Sequence, residues 1–470
     1  MINKIEKKAY FDAAAPTRQH WLRKGWYYHA DLARYLNQVI PAHASVLQIG
    51  CGTGHLLAAL NGTRKIGVDI SEAMVERART SFSGIEFHVD DIDDLRTAGT
   101  FDYIILVNVI GYAEDVQTAM QGLRRICTPA TRVVIVYFNY FWEPVLRMAE
   151  FLRLRMRRPR QHWLSCGDIS NLLYLNGFEV VKKDDVFLFP LYLPLVAYFI
   201  NHVLARLPLF HRCALNSVII AKTEGRRQTS PDASVSVIIP CRNEKGNIEE
   251  AVRRLPDLGA DTEVIFVEGH SRDGTLEECY RVQNLYAGKN IRVIEQNGIG
   301  KGDAVRAGFR QARGDILIIL DADLTVPPED MPKFRDALVR GKGELIIGTR
   351  LVYQMEKQAM RFLNLIGNKF FSSAFTFLLG QHIKDTLCGT KALWRQDYES
   401  IARNRSVFGD FDPFGDFDLI FGAAKLNLKI TQIPVRYRQR TYGETQISRF
   451  KHGWLLLRMT FIAVRKLKFV

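Results

Sequence analysis

Short apolar runs recur along this chain, separated by stretches in which apolar residues fall at helical spacing, and they form two successive sets. In the first set SVLQIGCGTG begins at Ser45, KIGVDI spans Lys65 to Ile70, a third run spans Ile85 to Val89, and FDYIILVNV spans Phe101 to Val109. Continuous rather than alternating apolar runs suit parallel strands covered on both faces. The segments Tyr27 to Val39 and Glu72 to Ser81 have helical periodicity. Strands alternating with helices predict a doubly wound sheet. Phe178 to Phe187 and Ser217 to Thr223 are expected to close it. The second set opens with VSVIIPCRNE at Val235, continues with EVIFVEG at Glu263, and reaches ILIILDADLTVPPE at Ile316. Between the sets, EGRRQTSPDA (Glu224 to Ala233) is polar, aperiodic and contains a Ser-Pro step, so it is expected to be a linker. The pattern therefore predicts domains at residues 1–223 and 234–470.

Composition narrows the class. At 470 residues the chain exceeds one ordinary core, and a net charge of +14 calls for an anionic partner. The 7 cysteines form no CxxC pair, which points to a reducing compartment rather than a disulfide frame or zinc site. MINKIEKKAYFDA has no apolar signal region, and the apolar run Val186 to Ile200 is short and broken by Pro190 and Pro194, so a cytoplasmic protein is expected. Nucleic acid is disfavoured as the partner. No recognition motif is present, and the basic segments interleave with aliphatics rather than stackable aromatics.

The chemistry sits at strand ends. Asp321 and Asp323 terminate a buried strand two residues apart, where ligands of open α/β sheets collect, and such a pair can hold a hard cation on a diphosphate; an Asp-rich turn capping the next helix is the alternative. GIGKGDAVRAG (Gly298 to Gly308) sets Lys301 among glycines, as a phosphate loop would. In the first set, Gly50, Gly52 and Gly54 are spaced GxGxG, but His55 stands where a dinucleotide fingerprint needs its third glycine. Asp69, about twenty residues past the first strand, is placed as a ribose-binding acid.

These motifs carry two resemblances. VLQIGCGTG, GVDIS and VDDIDDL occur in the order found in class I S-adenosylmethionine-dependent methyltransferases. That resemblance implies S-adenosylmethionine held by Gly50, Gly52, Gly54 and Asp69, with adenine near Asp91 and Ile92. Gln48 departs from the acid usual in that family, so a non-catalytic binding module is the alternative. PCRNE, DGT, GKGDAVRAGF, LDADL, IGTR and DTLCGTKALW resemble a family 2, GT-A-fold glycosyltransferase of the dolichyl-phosphate mannosyltransferase branch. The resemblance implies a nucleotide sugar, UDP- or GDP-linked, met by Pro240, Arg242, Glu244 and Glu268. It further implies Mg2+ or Mn2+ on Asp321 and Asp323, and Lys301, Arg350 and Arg440 toward phosphates or the acceptor rim. Asp416 and Asp418 become candidates for a general base. Two positions depart from that family: Glu268-Gly269-His270 where two aspartates are common, and Gln446 where lysine is frequent. The expected architecture is α/β throughout, a Rossmann-like methyltransferase fold followed by a GT-A fold. The acceptor is expected to be a lipid phosphate or a glycan.

Two basic amphipathic segments complete the picture. FWEPVLRMAEFLRLRMRRPR, ending at Arg160, and Arg449 to Phe469 interleave arginine and lysine with Trp, Phe and Leu, as helices lying on anionic membrane surfaces do. The proline-broken stretch Leu188 to Phe210 fits a lid, an interfacial insertion or a helical layer equally well.

Overall fold

The first set of apolar runs folds as β1 (Ser45–Ile49), β2 (Arg64–Asp69), β3 (Glu86–Val89), β4 (Tyr103–Val107), β5 (Arg132–Phe138), β6 (Phe178–Val186) and β7 (Asn216–Thr223), in one sheet of order β3-β2-β1-β4-β5-β7-β6. Neighbours from β3 to β5 are parallel, and β7 runs antiparallel to both β5 and β6. The strand order reverses between β1 and β4, which opens a crevice at their carboxyl ends. A computed structural model of the protein describes residues 3–225, 232–259, 261–353, 362–405, 415–443 and 457–468, and the chain divides into two compact units between Glu224 and Gly225.

Four features of the first unit go beyond or differ from the pattern-based expectation, among them the strand β5, which it did not include. A helix spans Lys4–Lys24 ahead of the expected one, which is Trp26–Val39. Few of its residues are buried, so no apolar stripe announces it; the capping box of Asn3 and Glu6 is its sequence signal. The basic segment is helical only over Glu143–Phe151, and Arg153, at φ 55°, lies beyond its end. Past it, Arg155 and Arg158 turn inward over the ring of Phe138, at 4.6 and 5.3 Å. The stretch from Leu188 forms the short helices Val196–His202 and Pro208–His211. Its anchor is the buried Asn201, whose carbonyl accepts from the N–H groups of Leu188 and Phe189 at 2.9 and 2.7 Å.

The second unit has strands β8 (Val235–Cys241), β9 (Thr262–Glu268), β10 (Asn290–Glu295), β11 (Ile316–Ile319), β12 (Leu345–Thr349), β13 (Lys391–Trp394) and β14 (Ile430–Pro434), ordered β10-β9-β8-β11-β13-β12-β14. β13 is antiparallel to β11 and β12, and the remaining pairs are parallel. Successive side chains of a strand point to opposite faces. Ile238 accordingly joins one apolar layer with Phe375 and Phe417, while Val237 and Ile239 join the other with Phe334. Each such side chain stabilises the fold by roughly 1.5–3 kcal/mol. The helix Lys301–Gln311 lies so close to β8 that a Cβ on Gly308 would come within 2.6 Å of Ile238. Glycine there sets the depth at which the Lys301 loop meets the sheet.

The described part of the C-terminal basic segment packs inward. Met459 and Ala463 are buried in the layer that holds Phe375, while Leu457 and Phe461 are exposed. This differs from a helix lying wholly on a membrane; Arg449 and Trp454 fall outside the described residues. Among the described residues no helix is long and apolar enough to cross a membrane.

A buried ion pair ties β12 to the loop before β13. Arg350 donates from Nε and Nη2 to the two oxygens of Asp385, both at 2.8 Å, and Asn368 adds a bond of 3.0 Å. Burial alone would push the Asp385 carboxyl up, but Arg350 outweighs it and brings it down to about 2 from 3.8. Its stabilising contribution is therefore complete above pH 4 and disappears as pH falls through 2. Asp385→Ala, which strands a buried guanidinium, is expected to cost about 3–5 kcal/mol in the unfolding of the second unit, read by urea denaturation at neutral pH.

Candidate functional site

In the first unit the chain bends sharply after β1. Gly50, Gly52 and Gly54 all have φ between 54° and 78°, the left-handed region that favours glycine. A Cβ on Gly52 would project into open space, whereas one on Gly50 would overlap Val109. Asp69, at the end of β2, accepts the N–H of Gly52 at 2.7 Å and that of Ser71 at 3.0 Å. Burial pushes its carboxyl up against those two bonds. Gly50, Gly52, Asp69, Asp91 and Ile92 line a single cavity. Gly54 does not; it caps the helix His55–Ala59 and packs against Phe87. Asp91 is paired with Lys4 at 3.0 Å.

Residues that pattern reading missed complete this wall. Phe11 and Arg18 of the first helix, Asn108, and Arg158 face the same cavity. Asn108 is held at φ 54°, an uncommon conformation that concentrates at functional sites. Its Oδ1, and Oε1 of Gln48, are buried without a hydrogen-bond partner among the described residues. Two orphan amide oxygens beside a glycine loop suit an ammonium donor, and the Asp69 carboxylate suits a ribose diol.

In the second unit, the carboxyl edge of β8, β9 and β11 gathers charge. Lys301 Nζ lies 2.5 Å from Asp321, and Arg440 bridges Glu244 at 2.8 Å and Asp323 at 2.9 Å. Asp323 also accepts from the N–H of Thr325 at 3.1 Å. Burial would raise the Asp321 carboxyl, but Lys301, helped by Lys391 and Arg350, holds it below its ordinary value. Lys391 is fully buried and donates to the carbonyl of Cys388 at 2.6 Å. A side chain at Gly389 would overlap both Asp321 and Lys301, so the DTLCGTKALW loop closes on this pair through a glycine.

The remaining expected residues are placed unevenly. Pro240 pairs with Val267 inside the sheet, and Arg242 is exposed at its edge. Glu268 is buried and accepts the N–H groups of His270 at 3.1 Å and Ser271 at 2.6 Å, so it closes the turn after β9. Arg350 differs from the expectation of a phosphate contact, since its buried guanidinium is engaged by Asp385. Asp418 is ion-paired with Arg405 at 2.8 Å, which holds it as a structural carboxylate. Asp416 begins the helix Asp416–Lys425, but its side chain is outside the described residues, as is Gln446.

Comparison with known proteins identifies two families in the chain. A family model for glycosyl transferase family 2 matches residues 236–401, and one for a methyltransferase domain matches residues 19–183. The chain is 30% identical over 229 residues to the glycosyltransferase AglJ of Haloferax volcanii, covering 48% of this chain and 70% of that protein. It is 30% identical over 217 residues to the dolichol-phosphate mannosyltransferase of Pyrococcus furiosus, covering 45% of this chain and 59% of that protein. The chain thus spans 59% to 70% of the length of these two relatives. Glucosyl-3-phosphoglycerate synthase of Mycobacterium tuberculosis, solved with Mn2+, UDP and glucosyl-3-phosphoglycerate, aligns over 52% of this chain and 86% of that chain at 18% identity, with a TM-score of 0.38.

Glu244 supplies a pH test of the second site. Burial, with Asp323 adding, outweighs Arg440 and Asn247 and pushes its carboxyl from 4.5 up to about 7. Between those values the folded protein holds a proton that the unfolded chain has released, so stability falls as pH rises from 4.5 to 7 and levels off above. Subtracting the melting curve of Glu244→Gln from that of the wild type across this range is expected to isolate that downward slope.

Proposed function

The chain belongs to the family 2 glycosyltransferases and carries a methyltransferase domain ahead of its glycosyltransferase domain, and on that premise we propose a bifunctional enzyme. Its second unit transfers a sugar from a UDP- or GDP-linked donor to a lipid phosphate in a metal-dependent reaction. Its first unit binds S-adenosylmethionine and methylates. The observation that carries the first activity is the pair Asp321 and Asp323, each matched to one cation, at the carboxyl edge of the sheet. The name of the Pyrococcus relative favours a lipid phosphate over a glycan acceptor.

Asp321 and Asp323 would hold the divalent ion. Mg2+ is commonly bound by one or two carboxylates together with substrate phosphates. Among the described residues no cluster of three or more His, Cys, Asp or Glu side chains forms a metal cage, so this pair fits an ion shared with a diphosphate. When bound, such an ion offsets the charge of the departing nucleoside diphosphate. Lys301 and Arg440 can exchange their carboxylate partners for phosphate oxygens, with the geometry of charge-assisted bonds. Pro240, Arg242 and Glu244 frame the base and ribose, and Glu268 fixes the turn beneath them.

An ionised lipid phosphate already carries its nucleophile. Its oxygen forms the bond to the anomeric carbon as the bond to the diphosphate breaks, and the electron pair leaves with the nucleoside diphosphate. No proton has to be removed, so the pairing of Asp418 with Arg405 is no obstacle. In this reading Asp416 orients the sugar, and the enzyme works at the cytoplasmic face of a membrane, where such acceptors are presented.

In the first unit, Asp69 accepts the ribose hydroxyls, and Asp91 and Ile92 border the adenine. The orphan Oδ1 of Asn108, in the wall shared with Asp69, receives the ammonium group of the methionine portion.

Asp321→Asn and Asp323→Asn are each expected to abolish Mg2+- or Mn2+-stimulated binding of UDP or GDP in a folded protein; calorimetry with and without metal reads this, and stimulation persisting in both variants would overturn the metal assignment. Asp69→Ala is expected to weaken S-adenosylhomocysteine by roughly 1.5–3 kcal/mol. No binding of that ligand to wild type would remove the cofactor assignment.

A further inference from the structure

A second cavity, of about 440 Å3, opens from the glycine loop away from Asp69. It shares Gly50, Gly52, Asn108, Arg18 and Arg158 with the first, so the two are halves of one cleft. Its size falls in the range of small-molecule sites, roughly 300–1,000 Å3. The halves differ in charge. The first half sets Asp69, Asp90 and Asp91 against Lys7, Arg18 and Arg158. The second is lined by Arg18, Arg23 and Arg158, by the imidazoles of His29 and His55 that burial keeps uncharged, and among the described residues by no carboxylate. Arg18 and Arg158 form no ion pair with a carboxylate among the described residues, although each stands partly shielded from solvent. A guanidinium so placed calls for an oxyanion.

The outer rim of this half is apolar. Trp26 lines the cavity and lies 5.0 Å from the ring of Tyr192. Tyr192 is exposed, and so are Leu195 at 86% and Leu209 at 79% in the same stretch of chain. Phe141 and Phe151 are exposed as well, at 78% and 82%, on the other segment. Both segments leave the same row of the sheet, where Phe138 and Val186 pair with Asn216. They share the small core of Phe138, Leu146, Phe187 and Leu215, and Trp142 donates to the carbonyl of Cys213 at 2.8 Å. An apolar face of this extent is uncommon on a freely soluble surface. Its acids are matched, Glu143 to Arg147 and Glu150 to Arg155, while Arg153, Arg157, Arg160 and Arg212 remain exposed around it. The surroundings are therefore cationic.

We propose that the cationic half of the cleft seats the methyl acceptor, that this acceptor is a carboxylate or phosphate oxyanion, and that it is borne on an amphiphile whose tail lies on the apolar face. The proposal rests on reading the carboxylate-bearing half as the S-adenosylmethionine site. The chemistry is consistent with the lining. Burial, with Arg18 and Arg158 adding, pushes the His29 imidazole down to about 3, so it is a poor proton acceptor at neutral pH. A nucleophile that arrives ionised needs none. The oxyanion forms its bond to the methyl carbon as the carbon–sulfur bond breaks, the electron pair stays on sulfur, and S-adenosylhomocysteine is released.

The test is equilibrium binding of dodecanoate and dodecyl phosphate, below their micelle concentrations, to the full chain holding S-adenosylhomocysteine. At least one is expected to bind ten-fold or more tightly than neutral dodecyl maltoside and a hundred-fold more tightly than acetate or inorganic phosphate; which one binds identifies the oxyanion. Arg18→Gln with Arg158→Gln is expected to remove the preference over the neutral detergent. Phe141→Ser with Leu209→Ser, both on exposed positions, is expected to reduce the preference over acetate or phosphate at least ten-fold. Arg18→Lys, which keeps charge, should retain part of the first preference if the double variant is poorly folded. Equal binding of charged and neutral dodecyl compounds to wild type, or wild-type preference in the arginine variants, overturns the acceptor site; equal binding of phosphate and dodecyl phosphate overturns the apolar half. Failure of S-adenosylhomocysteine to bind, measured separately, strikes the cofactor reading instead.

Discussion

A carboxylate carried to the end of a buried strand stays ionised only if a donor or cation meets it there, because the protein interior penalises an unpaired charge by several kcal/mol. Both sheets place carboxylates in that position, and much of the surrounding loop structure follows from meeting the demand. Lys301 and Arg440 answer Asp321 and Asp323. Backbone N–H groups of Gly52 and Ser71 answer Asp69. Glu268 draws the N–H groups of His270 and Ser271 around itself and so shapes the turn after β9.

Close approach of backbone is the second constraint. Gly308 lets the helix that follows the Lys301 loop settle against β8, and so brings that loop to the strand ends. Gly389 lets the loop before β13 close on Asp321 and Lys301, where Lys391 lies buried beneath. Charge and sterics therefore act at one place. The Arg350–Asp385 pair anchors that loop to the end of β12, which accounts for a buried arginine there.

In the first unit the carboxylates of the cleft lie on one side only: Asp69, Asp90 and Asp91 line the first cavity, and among the described residues no carboxylate lines the second. Gln48 lies in the cationic half. A carboxylate there would offset the positive charge of Arg18 and Arg158, which an amide leaves unchanged.

The strands β1 to β4, β6 to β9 and β11, the doubly wound class of their sheets, and the acids at their ends were legible in the amino-acid sequence, because burial on two faces leaves a continuous apolar run and a turn motif follows it directly; β5, β10, β12, β13, β14 and the strand order were not. Local contacts of that kind are written within a few residues. The helix Lys4–Lys24 was not legible, since it covers a cleft with scattered residues instead of burying a stripe. Nor could sequence decide the stretch from Leu188, whose apolar residues read the same whether they face a core or solvent. Tertiary structure alone brought Arg18 and Arg158 into one cavity, joined Arg350 to Asp385, turned Arg155 onto Phe138, and packed Met459 and Ala463 inward. Each of these depends on groups far apart in the chain meeting in a low-dielectric or close-packed place. The sequence determined which chemistry was available at the strand ends; only the fold decided which charges are satisfied internally and which face a ligand.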